Sequence, residues 1–298
     1  MDASPPAAIA SADQYRFPEL LRDIRLLDLL ELSGTTVETG RWLRISQPTI
    51  SRRYRSLADD FALVRDRQER LGCSFGTSAT KRQLRLGCRL HRLGAGVARI
   101  GCDWLHQPLL AGFPWLLPTP HRFRPLDNWL ELVRQGVLDG ALISGLDLLV
   151  ADGGNRQELD LVPLGDWPLA LAFGPRLAAS EPEAGRVEVL VPERGVAPGL
   201  HAALGARGLT LRDGENSWQT ASAWAERIQR SAQALVVGDL EAEGWATLRR
   251  CPLPVPLRSP LWLALPEDWR DHAALRHTVA SACQRSGTLT RGDGAGPG

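Results

Sequence analysis

No arrangement of cysteine or histidine in this sequence of 298 residues has the spacing of a metal cage. Cys73, Cys88, Cys102, Cys251 and Cys283 form no Cys-x-x-Cys pair and are odd in number, which argues against both a zinc site and a disulfide framework. His272 and His277 are five apart, on different faces of a helix, and not in the i, i+4 relation a metal uses. No Gly-x-Gly-x-x-Gly or phosphate loop is present, and Asp152-Gly153-Gly154-Asn155 reads as a turn. No uninterrupted apolar run approaches the roughly 18 residues of a spanning helix. Residues 1–12 contain Asp2 and no basic segment ahead of the apolar residues, so they do not read as a secretory signal. No nucleophile and base are readable as a pair. The expectation is a cytoplasmic non-enzyme with no metal, cofactor or membrane partner.

What is present divides unevenly. The formal charge of the whole chain is +1, but residues 16–100 hold seventeen Arg or Lys against nine Asp or Glu, a balance of +8. Residues 1–15 contribute −2, which leaves −5 for residues 101–298. The first part suits a polyanion and the second does not. Of ten Trp only Trp42 precedes residue 103. Large aromatics at that density fill a core first, with two or three left for a ligand pocket.

The most informative stretch is Ile45-Ser46-Gln47-Pro48-Thr49-Ile50-Ser51-Arg52-Arg53-Tyr54-Arg55-Ser56-Leu57. Ser46 is a candidate helix cap, and Pro48 sits in the first turn, where its missing N–H costs nothing. Ile50, Tyr54 and Leu57 recur at i, i+4 and i+7 as a buried stripe. Gln47, Thr49, Ser51, Arg52, Arg53 and Arg55 remain on other faces with no carboxylate among them, a surface suited to phosphates and base edges. Upstream, Leu20, Ile24, Leu27 and Leu30 predict a helix from Pro18 to Leu32 that Ser33-Gly34 ends. Thr35-x-x-Glu38 then opens a short helix to about Leu43 containing Gly40, as a close helix crossing requires.

From Ile24 to Leu71 the chain resembles the winged helix-turn-helix of LysR-type transcriptional regulators, with Ser46-Gln47-Pro48-Thr49-Ile50-Ser51-Arg52 standing as the phrase that opens the recognition helix. The resemblance implies that Gln47, Pro48, Ser51, Arg52 and Arg53 enter the major groove of double-stranded DNA and that Thr35 and Thr36 meet phosphate. Arg65, Arg67 and Arg70, near the wing, are further phosphate candidates. Three departures stand out: residues 1–16 precede the first helix, Thr39-Gly40 replaces the usual Ala-Ala, and the linker helix near Cys88–Ile100 is short and carries Gly94 and Gly96. That helix is the dimer contact of the family.

Beyond it, strand and helix signals alternate. Strands are expected at 97–102, 139–144, 159–163, 169–173, 187–191, 234–237 and 261–265, with helices at 106–113, 126–138, 198–206, 218–231 and 269–285. The phrases at 132–143 and 161–165 resemble, more loosely, the LysR-type effector domain, which implies two α/β lobes joined by crossing strands with a small ligand between them. Strand ends and helix starts in open α/β sheets collect ligands. Here they are Cys102-Asp103-Trp104-Leu105, Ser144-Gly145 and Asn216-Ser217, positions that match the family pocket, although Asn216 and Ser217 equally serve as caps and Trp104 as core. Asp103 would repel organic anions.

The expected fold is α/β with an N-terminal all-α winged helix-turn-helix and a C-terminal two-lobed, periplasmic-binding-protein-like effector domain. Its expected divisions are a tail at 1–16, the DNA-binding domain at 17–86, a linker helix at 87–98, the effector domain at 99–286 and a tail at 287–298. The expected function is a LysR-type regulator working as a homodimer or homotetramer under a small-molecule effector. The alternatives are a regulator that no longer senses a ligand, and an α/β solute-binding or enzymatic domain.

Overall fold

The computed structural model describes residues 10–66, 68–69, 72–103, 105–120, 122–150, 157–177, 187–214, 221–238 and 248–292. Three helices come first, α1 (Arg22–Ser33), α2 (Thr36–Leu43) and α3 (Gln47–Asp60), followed after a loop by α4 (Ala79–Gly94). The remainder alternates: β1 (Ile100–Gly101), α5 (Gln107–Leu110), α6 (Leu126–Arg134), β2 (Gly140–Ser144), α7 (Gly145–Val150), β3 (Leu159–Phe173), β4 (Glu188–Val191), α8 (Pro198–Gly205), β5 (Thr210–Asp213), α9 (Ala221–Arg230), β6 (Ala234–Gly238), β7 (Arg249–Pro266) and α10 (Ala273–Gly292).

The strands form one seven-stranded mixed sheet in the order β1-β2-β7-β3-β6-β4-β5. Its flanks are parallel, β1 on β2 and β4 on both β5 and β6, as the alternating signals predict. Its centre is antiparallel, because β3 and β7 run side by side for most of their length. Sequence patterning splits β3 into two strands and finds only the last third of β7, and proline is the cause. Pro163 lies at the register shift to Gly165, and Pro254 and Pro256 fall in the stretch that the ladder skips between Leu257 and Pro252. Proline cannot donate to a ladder and sits at bulges, so a continuous strand looks interrupted.

Other boundaries also move. Leu20, expected in the apolar stripe of the first helix, is 92% exposed, because α1 begins only at Arg22 after a 3-10 turn. Residues 10–16 are not a detached tail: Ala12 N–H donates to the Pro114 carbonyl (2.6 Å), and Tyr15 Oη bonds His91 Nδ1 (2.9 Å). The linker helix starts at Ala79 and not at 87, since the Ser78 side chain accepts from Lys81 N–H (3.2 Å) and caps it there. At the other end α10 continues to Gly292, past the expected start of the tail at 287.

The helical head does not stand apart from the sheet. Leu32 of α1 and Cys73 pack into one apolar cluster with Trp129, Leu130, Val133 and Leu138 of the α/β body. A charged layer reinforces this. Five of the seventeen cations counted in residues 16–100, namely Lys81, Arg85, Arg89, Arg92 and Arg99, are buried. Asp28 of α1 accepts from Arg85 Nε (2.8 Å) and Arg99 Nη1 (3.1 Å). Asp139, just before β2, accepts from Arg92 Nε and Nη2 (3.0 and 2.6 Å) and from the Arg99 backbone N–H (2.8 Å). Burial alone would raise the Asp139 carboxyl, but Arg92 and its hydrogen bonds bring it below the usual carboxylate range. Glu31 and Lys81 lie 3.7 Å apart, and each leans on a backbone partner instead, Phe75 N–H (2.9 Å) and the Gly76 carbonyl (2.7 Å). Burial moves both toward neutrality, raising Glu31 and lowering Lys81.

Removing one partner of a buried pair strands the other charge in a low-dielectric site, so Asp139→Ala should cost about 3–5 kcal/mol in urea unfolding. The exposed pair Arg270 to Asp160 is the control: Asp160→Ala should leave the urea midpoint close to that of the wild type. Equal losses at the two positions would show that the buried network contributes no more than surface charge.

Candidate functional site

The helix-turn-helix is built from local signals that the structure spells out. Gly34 ends α1 in the left-handed conformation (φ 74°), its N–H returning to the Leu30 carbonyl (2.8 Å). Thr35 Oγ1 accepts from Glu38 N–H (3.1 Å), while the Glu38 carboxylate pairs with Arg41 and does not close a capping box. Thr39-Gly40 has its own physical account. The buried Thr39 hydroxyl bonds Ser33 Oγ (2.7 Å) and the Thr35 carbonyl (2.7 Å), and a Cβ at Gly40 would lie 2.6 Å from the Ile45 carbonyl. The turn closes through Arg44 (φ 56°) and an Ile45 N–H bond to Gly40 O (2.9 Å).

In α3, Ile50, Tyr54 and Leu57 are buried as the period requires, Tyr54 meeting the Phe75 ring edge-on at 5.3 Å. Ser46 occupies the cap position, but its hydroxyl bonds Thr49 Oγ1 (2.9 Å) and no backbone N–H. Gln47 Nε2 donates to Thr36 Oγ1 (3.1 Å) and Ser51 Oγ (2.9 Å), which joins the start of α2 to the first turn of α3 in one polar surface. Arg52 and Arg55 are exposed on the side of α3 away from its apolar stripe, and Arg55 Nε donates to the Ser51 carbonyl (3.3 Å). Arg53 departs from the expectation: it lies on the flank facing α1 and pairs with Asp23 (2.6 Å). The loop after α3 holds no strand among its described residues; an Asp66 N–H bond to Ser74 O (3.0 Å) spans it, so a pinned loop stands where a wing is expected. Arg65 lies over the Phe75 ring at 4.5 Å, and Arg67 and Arg70 lie outside the described residues.

The second feature is a cavity in the α/β body, walled by the end of β2, α7, the start of α8, Ser259 of β7 and segment 123–129. Its interior is about 20 Å³, room for roughly one water molecule. Asp103, Leu105 and Ser144, three of the strand-end positions singled out in the sequence, line it. Cys102 is fully buried beside it, and Gly145 packs on Pro260, whose carbonyl a Cβ would approach to 2.8 Å, so these two fall outside the lining. Trp104, Asn216 and Ser217 lie outside the described residues. Sequence reasoning misses His106, Arg124, Trp129, Asp147 and Ser259. No local signal marks them, because their elements meet only in the folded chain.

The polar groups of the cavity largely satisfy one another. Asp103 accepts from the backbone N–H of His106 (3.0 Å) and contacts its Nδ1 (2.9 Å), so its charge is partly spent and the expected repulsion of anions weakens. His106 Nε2 is buried with no hydrogen-bond partner. Ser144 and Ser259 hydroxyls meet at 2.9 Å. Asp147 of α7 reaches across to accept the Gly199 N–H at the start of α8 (2.8 Å), tying two walls together. Burial pushes the Asp147 carboxyl up to about 6 against the pull of the Gly199 N–H. Among the described residues no group of three or more His, Cys, Asp or Glu could hold a metal ion, and no helix is long and apolar enough to cross a membrane.

Because the folded carboxyl of Asp147 holds its proton more tightly than an unfolded one, its contribution to stability is full below about pH 4 and is lost as pH rises through about 6. Thermal melts from pH 7.5 to 5 should therefore show the wild type gaining about 1–2 kcal/mol relative to Asp147→Asn, the figure allowing for residual solvent screening. Parallel pH profiles would show that Asp147 titrates normally.

No known family model matches the chain, and no curated protein matches it. Among solved structures it is similar to CbnR, a LysR family transcriptional regulator, with 15% identity over 89% of this chain and 98% of that one at a TM-score of 0.49. It is also similar to HinK, a LysR family transcriptional regulator from Pseudomonas aeruginosa, with 16% identity, coverage of 90% and 99%, and a TM-score of 0.46. A third is full-length LysG from Corynebacterium glutamicum with bound effector Arg, with 15% identity, coverage of 89% and 98%, and a TM-score of 0.44. At identities this low, the role of each residue rests on the chemistry of this chain.

Proposed function

We propose that the chain is a cytoplasmic DNA-binding transcriptional regulator of LysR type. The observation that carries this reading is the surface in which Thr36, Gln47 and Ser51 are hydrogen-bonded together beside exposed Arg52 and Arg55, on a helix whose opposite side is buried. Such a surface offers the Gln47 amide oxygen to base amino groups, guanidinium groups to guanine or phosphate, and hydroxyls to either. Thr35, Ser46, Pro48 and Thr49 complete the first turns that approach the duplex. Arg53 has a second role, bracing α3 on α1 through Asp23. The loop after α3 brings Arg65 to phosphate, with Arg67 and Arg70 close to it in sequence.

In this reading the body is the two-lobed, periplasmic-binding-protein-like sensor, with β3 and β7 as its crossing strands and the cavity between the lobes as the effector site. A second reading, a regulator that no longer senses a ligand, is favoured by one observation: the cavity has room for about one water and Asp147 bridges its walls. Two heads are needed for useful specificity, on half-sites roughly 10 base pairs or a multiple apart. The outer face of α4 supplies a self-complementary seam, with Leu86 38% and Leu90 52% exposed and nothing within 4 Å of a Cβ at Gly87 or Gly94.

On genomic fragments selected by the protein, Arg52→Ala should lose about 1–3 kcal/mol and relax base preference. Arg65→Ala should weaken all sequences alike and lower the salt slope by about one unit. Unchanged binding by the Arg52→Ala/Arg55→Ala pair would remove the DNA-reading assignment. In light scattering at micromolar concentration the wild type should be a dimer or larger and Leu86→Glu/Leu90→Glu a monomer; a wild-type mass of 32.6 kDa with and without DNA would defeat the seam.

A further inference from the structure

The head and the cavity share one stretch of chain. Arg122 Nη1 donates to the Ser33 carbonyl (2.9 Å), and Arg124 Nη2 donates to the carbonyls of Glu31 (2.6 Å) and Leu32 (2.8 Å). These are the final carbonyls of α1, which no intrahelical N–H satisfies, so two side chains of the α/β body cap a helix of the DNA-binding head. The packing there is tight, since a Cβ at Gly34 would fall 1.7 Å from Arg122 Nη1. Asn128 Nδ2 adds a bond to the Gly72 carbonyl (2.9 Å) in the loop after α3. The other side of the same stretch is cavity wall: Phe123, Arg124, Leu126 and Trp129 line it, and the Arg124 guanidinium lies 5.6 Å from the Trp129 ring centroid. Arg124 Nε is buried with no partner, one further donor in a residue that lines the cavity.

We propose that segment 122–129 couples occupancy of the cavity to the DNA-reading face within a single chain, with Arg124 as the positioning residue common to both. This rests on reading the cavity as the effector site and α3 as the DNA reader. A ligand that moves the Arg124 wall must loosen or tighten the carbonyl end of α1. That end leads through Gly34 directly to Thr35 and Thr36, and Thr36 holds Gln47 of α3 by a hydrogen bond (3.1 Å). The path is a few residues long and made of directional bonds, so the two positions of the wall reach the head without help from a second subunit. The energy available is the difference in ligand affinity between those positions. A ligand offering a carboxylate or carbonyl oxygen to Arg124 couples most directly, because it competes for the same guanidinium that holds α1.

The test perturbs the cavity from its far wall and reads the head by hydrogen exchange in the full chain. Val196, half-buried and in the lining, is changed to Trp, which is too large for a space of about one water and so presses on the opposite wall. In the Arg124 background, Val196→Trp should change amide exchange at residues 30–39 by roughly tenfold; in Arg124→Ala, and in Arg124→Lys, which keeps the charge but not the fork, the same change should have little effect. Arg124→Lys keeps the test usable if Arg124→Ala does not fold. An equal response in all backgrounds, or none in any, overturns the coupling, whereas a role for Arg124 as a mere staple predicts faster exchange in its variants with the Val196→Trp response retained. DNA binding is read in parallel on selected genomic fragments. Failure of the wild type to bind any of them overturns the regulator reading, while the exchange cycle decides the coupling independently.

Discussion

The burial of charge between the helical head and the sheet is the constraint on which the rest depends. Five cations, Lys81, Arg85, Arg89, Arg92 and Arg99, face three buried carboxylates, Asp28, Glu31 and Asp139. The excess is absorbed by backbone oxygens: Arg89 donates to the carbonyls of Val133 (2.6 Å) and Leu138 (2.7 Å), and Lys81 to that of Gly76. Buried ions cost several kcal/mol each in lost hydration and return it only when the geometry is met. Asp28 comes from α1, Asp139 from the edge of β2, and α4 lies between them, so the geometry is met in one arrangement of head and body. That makes the network a device for specifying register more than a source of net stability.

A fixed interface changes what the cavity can do. In a chain whose head hung on a free linker, a movement in the body would be lost in the linker. Here the apolar cluster of Leu32, Cys73, Trp129 and Val133 and the Arg122 and Arg124 bonds hold α1 against α6 and the segment before it. The cavity wall is therefore also a helix support. Asp147, accepting the Gly199 N–H at the start of α8, ties the two sides of that cavity together.

The charge asymmetry shows how a sequence count overstates a surface. The +8 of residues 16–100 reads as a surface for a polyanion, yet five of the seventeen cations point inward and serve the interface. What remains outside is still basic, and on α3 it is concentrated at Arg52 and Arg55, while Arg53 turns to Asp23. Thr39-Gly40 teaches the opposite lesson. It looks like a costly departure from a packing pair, but the threonine hydroxyl is bonded inside the crossing and the glycine is demanded by the Ile45 carbonyl.

Local sequence specifies the helix-turn-helix: the stop at Gly34, the cap at Thr35, the proline at the start of α3 and the stripe of Ile50, Tyr54 and Leu57. Each of these is an interaction between residues at most four apart in a helix or turn, so local order suffices to write it. It also determined the alternation of strands and helices in the body, because periodicity is local too. The rest depends on contacts between distant segments. Pro163, Pro254 and Pro256 hide the continuity of β3 and β7, since a bulge is tolerated only when the neighbouring strand is known. The start of α4, the inward turn of its arginines, and the meeting of His106, Arg124, Asp147 and Ser259 around one cavity depend on partners tens to more than a hundred residues away. Burial belongs to a pair of surfaces and not to a segment, and for that reason the polar face of α3 is legible in the sequence and its connection to the body is not.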